Sequence, residues 1–297
     1  MNKQQTTNNN RMPCVIYCHG NCGSRCDALD AVQILLPYNI TVLAFDFSGS
    51  GLSEGEYVSL GFFEKQDLAS IVEHLWNSKR VSRIGLWGRS MGAATSIMYS
   101  NLDHTIAGIV VDSPFTSLED VMTELVLSHQ SWVPKKMIKL GIGVMRKSIL
   151  NRAQFDIRKN SPIEYAKNCY VPALFAHAEG DDFIKIHHSE KLYQVYSGDK
   201  NMIRFEGDHN SERPEFFYDS VTIFFVNVLI SNDPFLNSEE NLRKTRENSH
   251  ATGGSGGGTK SGSVVKSMAS SSSSVSSPSS QLSISAAAAA SLINKHH

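Results

Sequence analysis

The 297-residue sequence contains no apolar run of the roughly 18 residues that a membrane-spanning helix needs, so no spanning helix is predicted. The N-terminus, residues 1–10, is polar and lacks the apolar run of a secretory signal peptide. Charge of one sign is not in excess either, because the formal net charge is -1, which gives no general attraction to nucleic acid or acidic lipid. We therefore expect a cytoplasmic protein that does not bind nucleic acid.

Cysteine is scarce: the chain has five, and this odd number without a signal peptide is typical of a reducing compartment. Cys14, Cys18, Cys22 and Cys26 recur at every fourth position. The run crosses a predicted strand, a loop and the start of a helix, whereas metal ligands usually pair about two to four residues apart across a loop. We interpret Cys14 and Cys18 as small hydrophobic residues on one strand face, not as metal ligands or disulfide partners.

The most informative stretch is Gly88-Arg-Ser-Met-Gly92, which follows an apolar strand and precedes a helix rich in alanine and methionine. This order of strand, Gly-x-Ser-x-Gly turn and helix is typical of the turn that exposes a nucleophilic serine. Gly88 and Gly92 allow close approach of strand and helix, and the Met91 amide lies at a helix N-terminus that favours an oxyanion. Ser90 is therefore the predicted nucleophile.

Apolar strands alternate with amphipathic helices, which favours an α/β fold with a mostly parallel sheet and helices on both faces. The predicted strands are 13–18, 41–45, 83–87, 106–111, 171–176 and 201–205, and the predicted helices are 27–36, 62–76, 91–99, 118–129, 135–150, 189–196 and 215–229. No strand separates helices 118–129 and 135–150, which indicates a helical cap. The apolar face of helix 135–150 either packs on the core, or binds an acyl chain or contacts an acidic membrane.

The composition changes after about residue 232. Residues 251–280 are dominated by glycine and serine, and residues 286–290 are alanine, so this part cannot build a hydrophobic core. We predict a disordered N-terminus over 1–11, an α/β domain over 12–231 with its cap at about 115–165, and a disordered tail over 232–297.

A serine nucleophile needs a base that takes its proton, and the base needs an acid that orients it. His209 follows the last predicted strand, and this loop can reach Ser90 because the carboxyl ends of parallel strands gather at one edge of the sheet. The acid is expected after the preceding strand, where Asp181 is the favoured residue and Asp182 and Asp112 are the alternatives.

Two backbone amides are expected to form an oxyanion hole: that of Met91 and that of Asn21, in the loop after the first strand. No metal or organic cofactor is predicted. The glycine-rich loop after the second strand, Asp46-Phe-Ser-Gly-Ser-Gly-Leu-Ser53, has Glu54 where a dinucleotide fingerprint would have its third glycine.

Together these motifs resemble the α/β-hydrolase superfamily over about residues 12–231. Within it, His19-Gly-Asn21, the Asp46 loop, Gly88-Arg-Ser-Met-Gly92 and Gly207-Asp-His-Asn210 are similar to the serine aminopeptidase-like hydrolases, in the branch that includes protein depalmitoylases. Members usually have one or two strands before the His-Gly strand, and only about a dozen residues precede it here, so we expect N-terminal strands to be missing. The acid loop also departs from the family, because His177 is followed by alanine where glycine is common.

The predicted function is serine-dependent hydrolysis of an ester, thioester or amide in a small-molecule or acylated substrate. An ester or thioester is favoured over a peptide, because the cap is apolar and no acidic cluster stands out to hold a free amino terminus. The alternative is a non-catalytic binding or scaffold protein that keeps the fold, and contact with a membrane through the cap stays open.

Overall fold

A computed structural model describes residues 11–129, 132 and 134–231. The segments predicted to be disordered, 1–11 and 232–297, lie outside these residues except for Arg11. Six strands of the described part form one parallel sheet in the order β2-β1-β3-β4-β5-β6. They are β1 (Met12–Cys18), β2 (Thr41–Ala44), β3 (Val81–Arg89), β4 (Ile106–Asp112), β5 (Ala173–Ala178) and β6 (Lys200–Phe205).

The α-helices are α1 (Leu29–Leu35), α2 (Glu64–Ser78), α3 (Met91–Leu102), α4 (Leu118–His129), α5 (Lys135–Ala153), α6 (Pro162–Ala166), α7 (His187–Val195) and α8 (Glu215–Phe225). The predicted strands and helices are all present, with ends that shift by a few residues. The predicted helix 27–36 begins as a 3-10 turn over Arg25–Ala28, continues as α1 and passes into a second 3-10 turn over Leu36–Tyr38, where Pro37 cannot donate a helical hydrogen bond. The predicted helix 215–229 ends at Phe225 and continues as a π-helical segment, Val226–Ser231.

The sheet separates two hydrophobic cores, because successive side chains of a strand point to opposite faces. Along β1, Cys14, Ile16 and Cys18 belong to one core, and Val15 and Tyr17 belong to the other. Helices α2 and α3 and the cap cover the first core, and α1 and α8 cover the second. This arrangement confirms helices on both faces, and it confirms that Cys14 and Cys18 share one buried strand face.

The cap packs on the core through one face of α5. Ile138, Ile142 and Ile149 are buried in the core that α2 and α3 cover, which confirms the first interpretation of this helix. Its opposite face leaves Met137, Leu140 and Val144 exposed. The second interpretation, contact with an acyl chain or an acidic membrane, therefore stays a prediction for this exposed face. Within the part of the chain that is described, no helix combines the length and hydropathy needed to span a bilayer.

Candidate active site

Ser90 sits at the sharp turn between β3 and α3. Its backbone has φ 53° and ψ -113°, a conformation that a non-glycine residue adopts only when its surroundings hold it there. The Ser90 amide donates to the Asp112 carbonyl at 2.8 Å, and the Ala94 amide donates to the Ser90 carbonyl at 3.0 Å. Strand β4 and helix α3 thus hold the turn from two sides.

Gly92 is required because α3 lies directly against the end of β1. A Cβ atom at position 92 would lie 1.9 Å from the Cys18 carbonyl oxygen, and one at Gly88 would lie 2.2 Å from the Gly92 carbonyl oxygen. No side chain fits at such distances, so the two glycines of the Gly-x-Ser-x-Gly motif permit the close packing that the sequence predicts.

His209 and Asp181 are directly hydrogen bonded, with His209 Nδ1 2.6 Å from Asp181 Oδ2. The other carboxylate oxygen, Oδ1, accepts from the amides of Ile184 at 2.8 Å and Phe183 at 3.1 Å. Burial alone would raise the pKa of Asp181, but hydrogen bonds from His177 and His209 outweigh it and hold that pKa below its ordinary value. An ionised Asp181 keeps the proton of a neutral His209 on Nδ1, so Nε2 carries the lone pair.

The buried His177 has a positioning role that the sequence analysis missed. Its Nε2 donates to the Ile184 carbonyl at 2.7 Å and lies 3.4 Å from Asp181 Oδ2, and its Nδ1 accepts from the Ser189 hydroxyl at 2.6 Å. The ring therefore joins β5, the acid loop and α7. The sequence signal was a histidine at the end of the strand that precedes the acid.

The two alternative acids lie elsewhere. Asp112 is buried at the end of β4, where Arg213 donates to its two carboxylate oxygens at 2.8 Å and 3.1 Å. Asp182 is exposed to solvent. Of the three candidates, the structure brings Asp181 to His209.

Two arginines position the backbone of the histidine loop. Arg89 Nη2 donates to the His209 carbonyl at 2.9 Å, and Arg213 donates to the carbonyls of His209 at 3.4 Å and Ser211 at 2.6 Å. Since Arg89 is the residue before Ser90, this bond ties the histidine loop to the serine turn. Neither arginine was predicted from the sequence to have this role.

Ser90 and His209 line the same cleft, whose volume is about 470 Å³. Asn21 lies on its wall, in a turn closed by a 3.1 Å hydrogen bond from the Gly23 amide to the Gly20 carbonyl. Neither the Asn21 amide nor the Met91 amide donates to another residue within 11–129 and 134–231. Both predicted oxyanion donors are therefore free of hydrogen-bond partners among the described residues.

His19 and Asp46 brace the loop that carries Asn21. His19 Nε2 accepts from the Phe47 amide at 3.1 Å, which joins this loop to the loop after β2. Asp46 accepts from Arg25 Nε at 2.9 Å and from the Leu52 amide at 2.8 Å, and the hydrogen bond from Arg25 holds the pKa of Asp46 below its ordinary value. The glycine-rich loop after β2 therefore folds around a buried carboxylate.

Comparison with known proteins supports this description of the fold. The profile of the serine aminopeptidase S33 family matches residues 10–162, slightly more than half of the chain. The chain therefore belongs to this family and has the α/β-hydrolase fold. The matched segment contains Ser90 and ends before Asp181 and His209.

The individual proteins that resemble this chain have low sequence identity to it. The protein YqkD of Bacillus subtilis (strain 168) is 28% identical over 200 residues, which span 66% of this chain and 64% of the relative. The esterase Pf2001 of Pyrococcus furiosus is 22% identical, with a TM-score of 0.58 over 74% of this chain and 85% of its own. A monoacylglycerol lipase of Paleococcus ferrophilus is 21% identical, with a TM-score of 0.53 over 73% of this chain and 96% of its own. Because both identities are low, the likeness to these two structures shows a shared fold and nothing more.

Proposed function

We propose that the protein is a serine hydrolase in which Ser90, His209 and Asp181 act as a catalytic triad. The observation that carries the proposal is the 2.6 Å hydrogen bond between Asp181 and His209, at the edge of the cleft that His209 shares with the strained Ser90. A buried acceptor that fixes the tautomer of a partly exposed imidazole is what a general base for serine requires.

The reaction proceeds through an acyl-enzyme. Ser90 Oγ attacks the carbonyl carbon of the substrate while His209 Nε2 takes the serine proton. The amides of Asn21 and Met91 donate to the oxyanion of the tetrahedral intermediate. His209 then returns the proton to the leaving group. Water, activated by the same imidazole, attacks the acyl-enzyme and releases the acid.

The substrate class that we favour is a small ester or thioester with an acyl chain. The cleft of about 470 Å³ has the size of a small-molecule site, and the ring of Phe183 on its wall gives an acyl group an apolar contact. A peptide substrate would need an acidic group in the cleft to hold its free amino terminus. Asp27 is an acidic residue that lines the cleft, but its carboxylate caps a 3-10 turn, where the Ser24 amide lies 3.4 Å from it. An esterase and a lipase among the proteins of similar fold are consistent with this preference.

The proposal is tested by the hydrolysis of p-nitrophenyl acetate, butyrate and octanoate by the full-length protein. Ser90→Ala is expected to lower kcat about 10⁶-fold. Ser70→Ala, on the exposed surface of α2, is the matched control and should keep full activity. A folded wild-type protein that turns over none of these esters would contradict the proposal and favour the non-catalytic alternative, a binding or scaffold protein.

A further inference from the structure

Asp112, the last residue of β4, holds the serine turn through its backbone. Its carbonyl accepts a hydrogen bond from the Ser90 amide at 2.8 Å. In the sheet, Asp112 pairs with Arg89 of β3 on one side and with Ala176 of β5 on the other. Strand β3 ends next to the proposed nucleophile and β5 leads to the Asp181 loop, so Asp112 lies between the elements that carry two members of the proposed triad.

The side chain of Asp112 orients the guanidinium of Arg213. The two side chains are only 3% and 6% exposed. Arg213 Nε donates to Oδ2 at 2.8 Å and Nη2 donates to Oδ1 at 3.1 Å, and the Ser113 hydroxyl also donates to Oδ1 at 3.1 Å. A two-point bond between a guanidinium and a carboxylate fixes the plane of the arginine as well as its position. Asp112 therefore sets the direction in which the other N–H bonds of Arg213 point.

The same guanidinium holds the histidine loop, residues 206–214. Arg213 Nη1 donates to the Ser211 carbonyl at 2.6 Å, and Nη2 donates to the His209 carbonyl at 3.4 Å. The guanidinium also lies 5.0 Å from the ring centroid of Phe205, the residue at which the loop leaves β6. The loop is thus tied to the end of β4 both near its start and at His209.

The pair of Asp112 and Arg213 stands outside the cleft of Ser90. Neither residue lines that cleft, so neither contacts a substrate bound there. Both line a second cavity of about 170 Å³, together with Ser211 and other residues of the histidine loop. This cavity gives the loop space to shift once the pair is broken, whereas close-packed surroundings would resist such a shift.

We propose that Asp112 is a positioning residue that fixes Ser90 and His209 relative to each other. Its carbonyl holds the serine turn, and its carboxylate holds the histidine loop through Arg213. This role rests on the proposed function, since it concerns the reaction of the triad. Proton transfer from Ser90 to His209 requires hydrogen-bond distance between the two side chains. A displacement of about 1 Å, caused by a change away from the reacting atoms, can cost about 100-fold in rate.

The test measures kcat and KM of the full-length protein for p-nitrophenyl butyrate. Arg213→Lys keeps a positive charge beside Asp112, but an ammonium group cannot bond both carboxylate oxygens in one fixed plane. We expect kcat to fall about 10- to 100-fold and KM to change less than about threefold, because the pair acts through His209 and not on the substrate. Asp112→Asn should change both constants in the same direction, and Arg213→Lys still tests the proposal if Asp112→Asn does not fold.

A second ion pair of the same kind provides the matched control. In the cap, Arg146 Nε donates to Asp156 Oδ1 at 2.6 Å. Arg146→Lys weakens a comparable pair that does not touch the histidine loop, so kcat should stay within about twofold of wild type. The double variant of Asp112→Asn and Arg213→Lys should lose about as much kcat as the more damaged single variant, because both changes break one path. Circular dichroism and urea denaturation show which variants are folded.

Three results would overturn the role of Asp112. They are an unchanged kcat in folded Arg213→Lys, a loss that appears in KM alone, and a double variant whose loss is the product of the two single losses. Any of them in an active wild-type background overturns this inference and leaves the proposed function standing. A folded wild type without esterase activity overturns both, because it removes the reaction in which Asp112 would act.

Discussion

Replacing Asp181 with asparagine changes the donors and acceptors around His209 while it keeps the size of the side chain. In the wild type, Oδ1 accepts from two backbone amides, those of Phe183 and Ile184, which can only donate. The asparagine oxygen must therefore take the Oδ1 position, which directs its NH₂ group at His209 Nδ1. His209 can respond by moving its proton to Nε2, and Nε2 then has no lone pair for the serine proton.

The expected loss is about 10⁴-fold in kcat, the usual result of holding a triad histidine in the wrong tautomer. At 1.36 kcal/mol for each factor of ten, this equals about 5 kcal/mol of transition-state stabilisation. The fold should lose less, about 1.5–3 kcal/mol, for one buried charge-assisted hydrogen bond. The measurement is kcat for p-nitrophenyl butyrate at 25 °C, with urea denaturation of the same preparation.

Asp182→Asn is the matched control, since the neighbouring Asp182 is exposed and its replacement should change kcat less than twofold. If Asp181→Asn keeps more than a tenth of wild-type kcat, asparagine does not hold His209 in the wrong tautomer. Activity lost equally in Asp181→Asn and Asp182→Asn would instead indicate a general effect on the loop.

Further predictions concern packing, pH and the cap. Gly92→Ala should lower the free energy of unfolding, measured by urea denaturation, by about 3 kcal/mol or more. Gly141→Ala, whose added Cβ would have no atom within 4 Å, should raise it by about 0.5–1 kcal/mol. Equal effects of the two substitutions would contradict the close packing inferred at Gly92. Asp46 has a lowered pKa, so its ionised form stabilises the fold above about pH 4 and this contribution is lost as the pH falls further. Asp46→Asn should therefore be less stable than wild type at pH 7, and a urea-midpoint difference that does not narrow at pH 3 would contradict this. The acidic-membrane interpretation of α5 predicts about tenfold weaker sedimentation with phosphatidylserine vesicles for Leu140→Glu, and unchanged sedimentation would contradict it.

Local patterns in the sequence were sufficient to predict the order of the strands and of every helix except the short α6. The strand before Ser90, the glycines around it and the alanine-rich helix after it are all contiguous, so the serine turn could be placed without long-range information. The loops after β5 and β6 lie together, with Asp181 hydrogen bonded to His209, because parallel strands bring their carboxyl ends to one edge.

Contacts between distant residues could not be predicted in the same way. The ion pair of Arg213 with Asp112 joins residues 101 positions apart, and the contact of His187 with Glu124 spans 63 positions. Such pairs depend on how loops cross the sheet edge and how the cap packs, and neither leaves a periodic pattern. The structure was therefore needed to show that Asp112 pairs with Arg213 and Asp181 with His209.

The most direct test of the proposed mechanism is to react the full-length protein with a fluorophosphonate and locate the adduct by peptide mass spectrometry. The proposal predicts a single adduct on Ser90, none on Ser90→Ala, and strongly slowed labelling of His209→Ala, because an activated hydroxyl is required. A folded wild-type protein that stays unlabelled, or that is labelled on another residue, would contradict the assignment of Ser90 as the nucleophile.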